Sequence, residues 1–192
     1  CDHLVVSIYV NPLQFGPTED LERYPSDPDG DANKCRSMGV DTLFVPQNLY
    51  QSGHSTTVKV SGLTTGLCGA SRPGHFDGVT TVVARLFGLV QPDIAVFGEK
   101  DYQQLLVVNH LSKSLNISTK IIGCPIVRNT DGLAMSSRNI LLNSEERRIA
   151  PKIYEGLKLA KKLANTEKYD KIKIEVRNFF KDVSLIKLEY FT

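Results

Sequence analysis

The sequence predicts an open α/β sheet of parallel strands, followed by part of a smaller α+β domain. Three observations lead there. Residues 4–10 form a nearly continuous β-branched apolar run, as expected of a strand covered on both faces. Val79, Val82, Val83, Leu86 and Val90 recur at i, i+3, i+4, i+7 and i+11, which places them on one helical face. Short apolar runs at 42–45, 94–97 and 120–122 alternate with helical patterns, and that alternation calls for parallel strands joined by right-handed crossovers.

In chain order, a polar loop with Asn11-Pro12, Gly16-Pro17 and Pro25 follows the first strand. A helix is expected over 29–38, with Gly39 as the glycine that ends it. Pro46 stops the strand at 42–45, and Val58-Lys59-Val60 suggests another short strand. Pro92 ends the helix that carries Val79, and Gly98 closes a buried strand at 94–97. A helix over 101–115 would turn Leu105, Val108, Leu111 and Leu115 inward. The pattern changes after Pro125, which divides the chain into residues 1–126 and 127–192. Asn143 and Glu146 form a capping box. Ile149, Ile153, Leu157, Ala160 and Ala164 would be the apolar face of the helix it opens. Pro151 predicts a kink there or two abutting helices. A second amphipathic helix over 169–181 and a strand at 186–191 complete the chain.

The composition is that of a folded chain, 41% apolar and 23% charged, and excludes disorder. No apolar run approaches the roughly 20 residues of a membrane-spanning helix. The formal charge of +2 is spread along the chain, without the basic stripe that nucleic-acid binding needs. Cys1, Cys35, Cys68 and Cys124, like the four histidines, lack metal-ligand or disulfide spacing, so a reducing, cytoplasmic setting is expected.

Ligands of open α/β sheets bind at the carboxyl ends of the strands. The Asn11–Gly16 segment follows the first strand, and as a sequence it fits either a turn or a ligand loop. Gly98-Glu99-Lys100-Asp101 follows the strand at 94–97. Asp101 and Gln104 fit a helix cap and its capping-box partner. Lys100 opposes the positive end of a helix dipole, which points to an anion nearby. Ser71-Arg72-Pro73-Gly74-His75-Phe76 and Met135-Ser136-Ser137-Arg138-Asn139 offer the backbone donors, hydroxyls and arginine of a phosphate cradle, and each also fits a solvated loop. No Walker A sequence, GxGxxG, nucleophile elbow, CxxC or HExxH is present.

Taken together these segments resemble the pantothenate synthetase family, from about residue 4 to about 160. The resemblance rests on Val5-Val6-Ser7-Ile8-Tyr9-Val10-Asn11-Pro12-Leu13-Gln14-Phe15-Gly16, Asp20-Leu21-Glu22-Arg23-Tyr24-Pro25, residues 71–76, Val96-Phe97-Gly98-Glu99-Lys100-Asp101 with Gln103-Gln104, and residues 131–139. It implies a Rossmann-like domain of the nucleotidylyl-transferase superfamily, with a smaller C-terminal lid. It also implies Mg²⁺-dependent joining of pantoate to β-alanine through a pantoyl adenylate, with release of AMP and pyrophosphate, in a homodimer. By the same resemblance Gln14 and Gln104 hold pantoate, and Asn11 and Tyr24 lie toward the acyl phosphate and β-alanine. Asp31 takes part in holding Mg²⁺, while the position before it is Gly30 and lacks a second acid. Gly98 and Asp101 meet the ribose of ATP, with Val127 and Met135 also on the nucleotide. Lys100, Ser136, Ser137 and Arg138 act on the phosphates as the catalytic set, and Arg72 and His75 support the site or the subunit interface.

The family's His-x-Gly-His signature at the end of its first strand is absent from these residues, so a chain truncated at both ends is expected. A catalytically silent fragment acting as a binding or dimerisation module is the alternative. A related transferase that adenylates a phosphorylated cofactor precursor is another, and Gln14 with Gln104 argues against it.

Overall fold

The computed structural model describes residues 1–192 as a mixed α/β chain with two compact units. One unit comprises 1–97 and 102–122, and the other comprises 98–101 and 123–192.

In the first unit β1 (Val5–Ser7) pairs in parallel with β2 (Thr42–Phe44), Val5 opposite Thr42 and Ser7 opposite Phe44. The strand expected over 4–10 is therefore shorter, because β2 ends just before Pro46 and offers no further ladder partner. Between the two strands lies α1 (Pro28–Ser37), whose Asp27 cap accepts from the Gly30 N–H. Gly39 follows at φ +71°, the left-handed conformation expected at a helix end. A four-residue α2 (Cys68–Ser71) precedes α3 (His75–Val90).

Two helices make most of this unit's core, joined by Leu49 and Val60 from the segment between β2 and α2. Val79, Val82, Val83 and Phe87 of α3 pack with Val107, Val108 and Leu111 of α4 (Tyr102–Ser114). The inward face predicted for α4 holds except at Leu115, which lies beyond the helix end and is exposed. Val58–Val60 is no strand. The Val58 amide donates to Thr81 Oγ1, and the Thr80 hydroxyl donates to the Val58 carbonyl, so side chains of α3 satisfy this backbone in place of a sheet.

β3 (Ile94–Gly98) pairs with β4 (Lys120–Cys124). The chain thus forms two two-stranded sheets in place of the single open sheet expected from the alternation. β3 also differs from its expected burial, since Ile94 and Val96 face outward and Ala95 and Phe97 face the core.

The second unit is helical, with one antiparallel bridge between Arg128 and Ala134. The Asn143–Glu146 capping box is present. Helix α5 (Ser144–Ile149) abuts α6 (Lys152–Leu163) across Pro151, the two-helix outcome predicted from the lost backbone donor. Ala160 is covered as expected, but the rest of the buried face of α6 differs: Gly156 is covered, whereas Ile153 and Leu157 are exposed. The reason is close packing on α7 (Tyr169–Lys181). A Cβ on Gly156 would run into the Phe180 ring, so the smallest residue marks the contact. No strand forms at 186–191. Ile186, Leu188 and Phe191 instead pack on Ile172, Val176 and Phe180, because alternating apolar residues with no neighbouring strand still bury one face.

Candidate active site

In the first unit the site frame grows from the turn after β1. Asn11 is 2% exposed and caps the 3-10 turn Pro12–Gln14. Its hydrogen-bonding positions are all filled by protein groups. Nδ2 donates to the Gly78 carbonyl at 3.1 Å and to Gln14 Oε1 at 3.2 Å. Oδ1 accepts from the Tyr50 hydroxyl at 2.9 Å and from the Leu13 amide at 3.3 Å. The Asn11 side chain is thus an internal strut of the turn. Gln14 is half-buried, and its amide nitrogen makes no hydrogen bond within the protein.

Arg72 clamps the far side of the same loop. It donates from Nε and Nη2 to the two carboxylate oxygens of Glu19, at 2.7 and 2.6 Å. His75 is 8% exposed; its Nδ1 donates to the Gln14 carbonyl at 2.8 Å, and its Nε2 accepts from Arg72 Nη1 at 3.1 Å. A carbonyl only accepts and a guanidinium only donates, so these partners fix the imidazole tautomer. Arg72 and His75 therefore support the loop that carries Gln14. The hydrogen bonds from Arg72 hold the Glu19 carboxyl below the ordinary carboxylate range, opposed by its burial.

That shift makes a testable statement. A carboxylate with a depressed folded pKa contributes stability above its unfolded value, and the contribution vanishes as pH falls through the folded value. Glu19→Gln should cost about 2 kcal/mol at neutral pH, the scale of a charge-assisted bidentate pair. Denaturant titrations should show wild type and variant converging below the ordinary carboxylate range. A gap independent of pH would mean that the clamp acts by shape alone.

Gln103 and Gln104 separate cleanly. Gln103 Nε2 donates to the Leu63 and Gly66 carbonyls, both at 2.9 Å, and its Oε1 accepts from the Cys68 amide at 3.1 Å. It is consumed in holding the 63–68 loop ahead of α2. The Gln104 side chain is half-buried and makes no hydrogen bond to the protein. The capping-box role is not seen, since Asp101 belongs to the 3-10 turn Glu99–Asp101 and pairs with Lys100. Tyr24 packs edge-on against Phe15, ring centroids 5.9 Å apart. Asp31 is paired with Lys34 at 3.2 Å on α1.

No group of three acidic, histidine or cysteine side chains gathers anywhere, so a closed protein cage for a cation is absent. Mg²⁺ that arrives with phosphates needs only one or two carboxylates. Asp31 has the hard oxygen chemistry for that part.

In the second unit the nucleotide candidates sit on two short frames. Gly98, Lys100 and Asp101 lie at the end of β3 and in the turn that follows, all exposed. Lys100 Nζ is 3.3 Å from Asp101, so the cation expected to face an anion is shared with its neighbour. Val127 and Met135 are opposite one another, the Met135 amide donating to the Val127 carbonyl at 2.9 Å, with both side chains exposed. The loop between them turns at Gly132, φ +93°, against Tyr154, over whose ring the Arg128 guanidinium lies at 3.9 Å. Asp131 bridges to Arg147 at 2.6 Å. Ser136 caps the 3-10 turn Ser137–Leu141, and Asn139 donates to the Ala134 carbonyl. Ser137 and Arg138 are thus presented on an exposed turn anchored at both ends.

Glu19, Tyr50 and Gly78 carry no local motif and were invisible in the sequence; their partners lie 53, 39 and 67 residues away. A surface cleft of about 520 Å³, lined by Asn109, Lys113, Asn116 and Lys120 among others, contains none of the candidate residues.

A family profile described as pantoate-beta-alanine ligase matches residues 1–192. The pantothenate synthetase of Oleidesulfovibrio alaskensis is 56% identical over 158 residues, covering 81% of this chain and 56% of that protein. The chain therefore spans little more than half the length of that curated relative. The crystal structure of pantoate-beta-alanine ligase (pantothenate synthetase) from Thermus thermophilus superposes with a TM-score of 0.95 at 46% identity, covering 98% of this chain and 70% of that one. The Francisella tularensis ligase, complexed with beta-gamma ATP and beta-alanine, gives a TM-score of 0.78 at 36% identity over 93% of this chain and 68% of that one. No helix is long and apolar enough to cross a membrane. With the profile matched from residue 1 to residue 192, the chain belongs to the pantoate-beta-alanine ligase family.

Proposed function

We propose that this chain carries out the ATP-dependent joining of pantoate and β-alanine, releasing AMP and pyrophosphate. A pantoate carboxylate oxygen attacks the α-phosphorus of ATP, and the bond from that phosphorus to the β-phosphate oxygen breaks. The β-alanine nitrogen then attacks the acyl carbon, AMP departs with the oxygen that linked it, and the nitrogen loses a proton. No covalent bond to the protein is needed, so the protein's part is alignment and charge neutralisation.

The observation that carries the reading is the pair of half-buried glutamines. Gln14 has an unbonded amide nitrogen on a turn braced by Asn11, Arg72 and His75, and Gln104 has a wholly unbonded amide. Half-buried amides without protein partners suit a polar ligand such as a hydroxy acid. Tyr24 belongs on the β-alanine side of the same reading. Lys100, Ser136, Ser137 and Arg138 would neutralise the phosphates, with Gly98 and Asp101 on the ribose and the Val127–Met135 pair against the base. The ATP and β-alanine named for the Francisella relative support the same substrates here. Magnesium, held in part by Asp31, would supply neutralisation of phosphate charge. A Rossmann-like arrangement of the strands, a cytoplasmic location and a homodimer rest on the family resemblance, and light scattering reads the last.

Labelling the pantoate carboxylate with heavy oxygen tests the mechanism. One labelled oxygen should appear in AMP for each pantothenate formed, with equimolar pyrophosphate. Label appearing in inorganic phosphate, with ADP as the other product, would exclude the adenylate.

A further inference from the structure

We infer that Tyr50 is a positioning residue for substrate recognition, bracing Asn11 so that the Gln14 amide, whose polarity the turn backbone sets, is held with only its N–H donors open to the bound substrate. The inference rests on the reading of Gln14 as a pantoate contact and adds the origin of its polarity.

An amide side chain has nearly the same shape in either orientation, and its partners decide which end is oxygen. For Asn11 two backbone groups decide it. The Gly78 carbonyl accepts only, so the nitrogen faces it, and the Leu13 amide donates only, so the oxygen faces that. The second Asn11 N–H then meets Gln14 and must be accepted by Oε1. The Gln14 nitrogen then keeps both its hydrogens, which no protein group accepts. Such a group fits a carboxylate or hydroxyl oxygen and disfavours a cationic amine, so the chain of polarity selects an oxygen acceptor.

Tyr50 completes that chain. Its hydroxyl fills the remaining lone pair of Asn11 Oδ1 from 39 residues away. The ring is held on three sides: Tyr9 lies 6.2 Å away by centroids, His54 lies at 4.8 Å, and the Arg85 guanidinium sits 5.5 Å over its face. Arg85 is itself tied to the Leu49 carbonyl. Burial pushes the Tyr50 phenol up to about 12, with Tyr9 acting in the same direction and Arg85 opposing. The hydroxyl therefore stays a donor throughout the neutral range.

The experiment compares Tyr50→Phe, Gln14→Ala, the double variant and Gln14→Glu. Removing the hydroxyl should raise KM for pantoate roughly five- to tenfold, the scale of one neutral hydrogen bond, while KM for ATP stays unchanged. With Gln14→Ala already present, Tyr50→Phe should add nothing to the pantoate effect. In spectra without substrate, Tyr50→Phe should shift the side-chain amide resonances of both Asn11 and Gln14. Gln14→Glu can still accept from Asn11 but shows substrate an acceptor, so it should lose pantoate binding more severely than Gln14→Ala. Because Gln14 is half-exposed, this variant tests the polarity even if Tyr50→Phe folds poorly. Equal rises in both KM values, an undiminished penalty in the double variant, an unmoved Gln14 amide, or wild-type pantoate affinity in Gln14→Glu would each overturn the inference. Absence of pantoate binding by the wild type would instead sink the proposed function, with the amide shifts still reporting whether the coupling exists.

Discussion

Gly78→Ala is expected to lower stability by about 3 kcal/mol, although alanine is the better helix former by about 1 kcal/mol. Both effects are real, and their sizes decide the sign. Gly78 lies in the first turns of α3, where a Cβ would collide with the Leu13 carbonyl and the Gln14 amide nitrogen, both backbone. Backbone cannot rotate aside, so the Asn11–Gln14 turn must move. That movement strains the Asn11 bond to the Gly78 carbonyl, and a buried polar group left unpaired costs a further 1–3 kcal/mol or so. Gly88, in the same helix, has nothing within 4 Å of its would-be Cβ. Gly88→Ala should therefore keep the propensity gain and stabilise the protein by up to about 1 kcal/mol. In thermal melts Gly88→Ala should rise by a few degrees and Gly78→Ala should fall by roughly 10 °C. Pantoate affinity should fall only in Gly78→Ala. Matching melts for the two would mean that the turn yields freely and is not braced by α3.

Why the sequence revealed some of this and concealed the rest follows from where each cause lies. The α3 pattern is local: one helical stripe of valines predicts both the helix and its buried face, and the core bears it out at Val79, Val82 and Val83. The Asn143–Glu146 box and the break at Pro151 are equally local, since cap and breaker act within a few residues. Strand length is not local. The apolar run at 4–10 could have paired throughout, but its extent is set by β2 and Pro46, more than thirty residues away. The stripe at Ile153 and Leu157 misplaced the buried face of α6 for the same reason, because Gly156 is what fits against α7. Propensity marks it as a weak point in a helix, whereas its value lies in the Phe180 ring it admits. In the candidate site, Gln103 and Gln104 look equivalent as letters. Only the 63–68 loop distinguishes the glutamine consumed by backbone from the one left open.

Lys100→Ala is expected to cost at least about 3 kcal/mol of transition-state stabilisation, a fall in kcat/KM of roughly 100-fold or more. The folded protein should barely register the change. Lys100 is exposed, and its pairing with Asp101 at 3.3 Å is a solvent-screened contact between chain neighbours, the kind worth about 0–1 kcal/mol to stability. The two readouts therefore separate. If Lys100 acts on the phosphates, activity collapses while the melting temperature holds, because neutralising developing charge matters chiefly in the reacting complex. If Lys100 is only a surface cation beside a helix start, both stay near wild type. Asp101→Asn sharpens the comparison by freeing the ammonium without removing it, and should leave the phosphate chemistry far less affected than Lys100→Ala. Lys100→Arg keeps the charge but trades a compact ammonium for a planar fork, so it should recover part of the loss, chiefly in KM for ATP. An activity loss below about tenfold in Lys100→Ala would be too small for a direct phosphate contact in a water-poor site. The catalytic role would then have to rest on Ser136, Ser137 and Arg138.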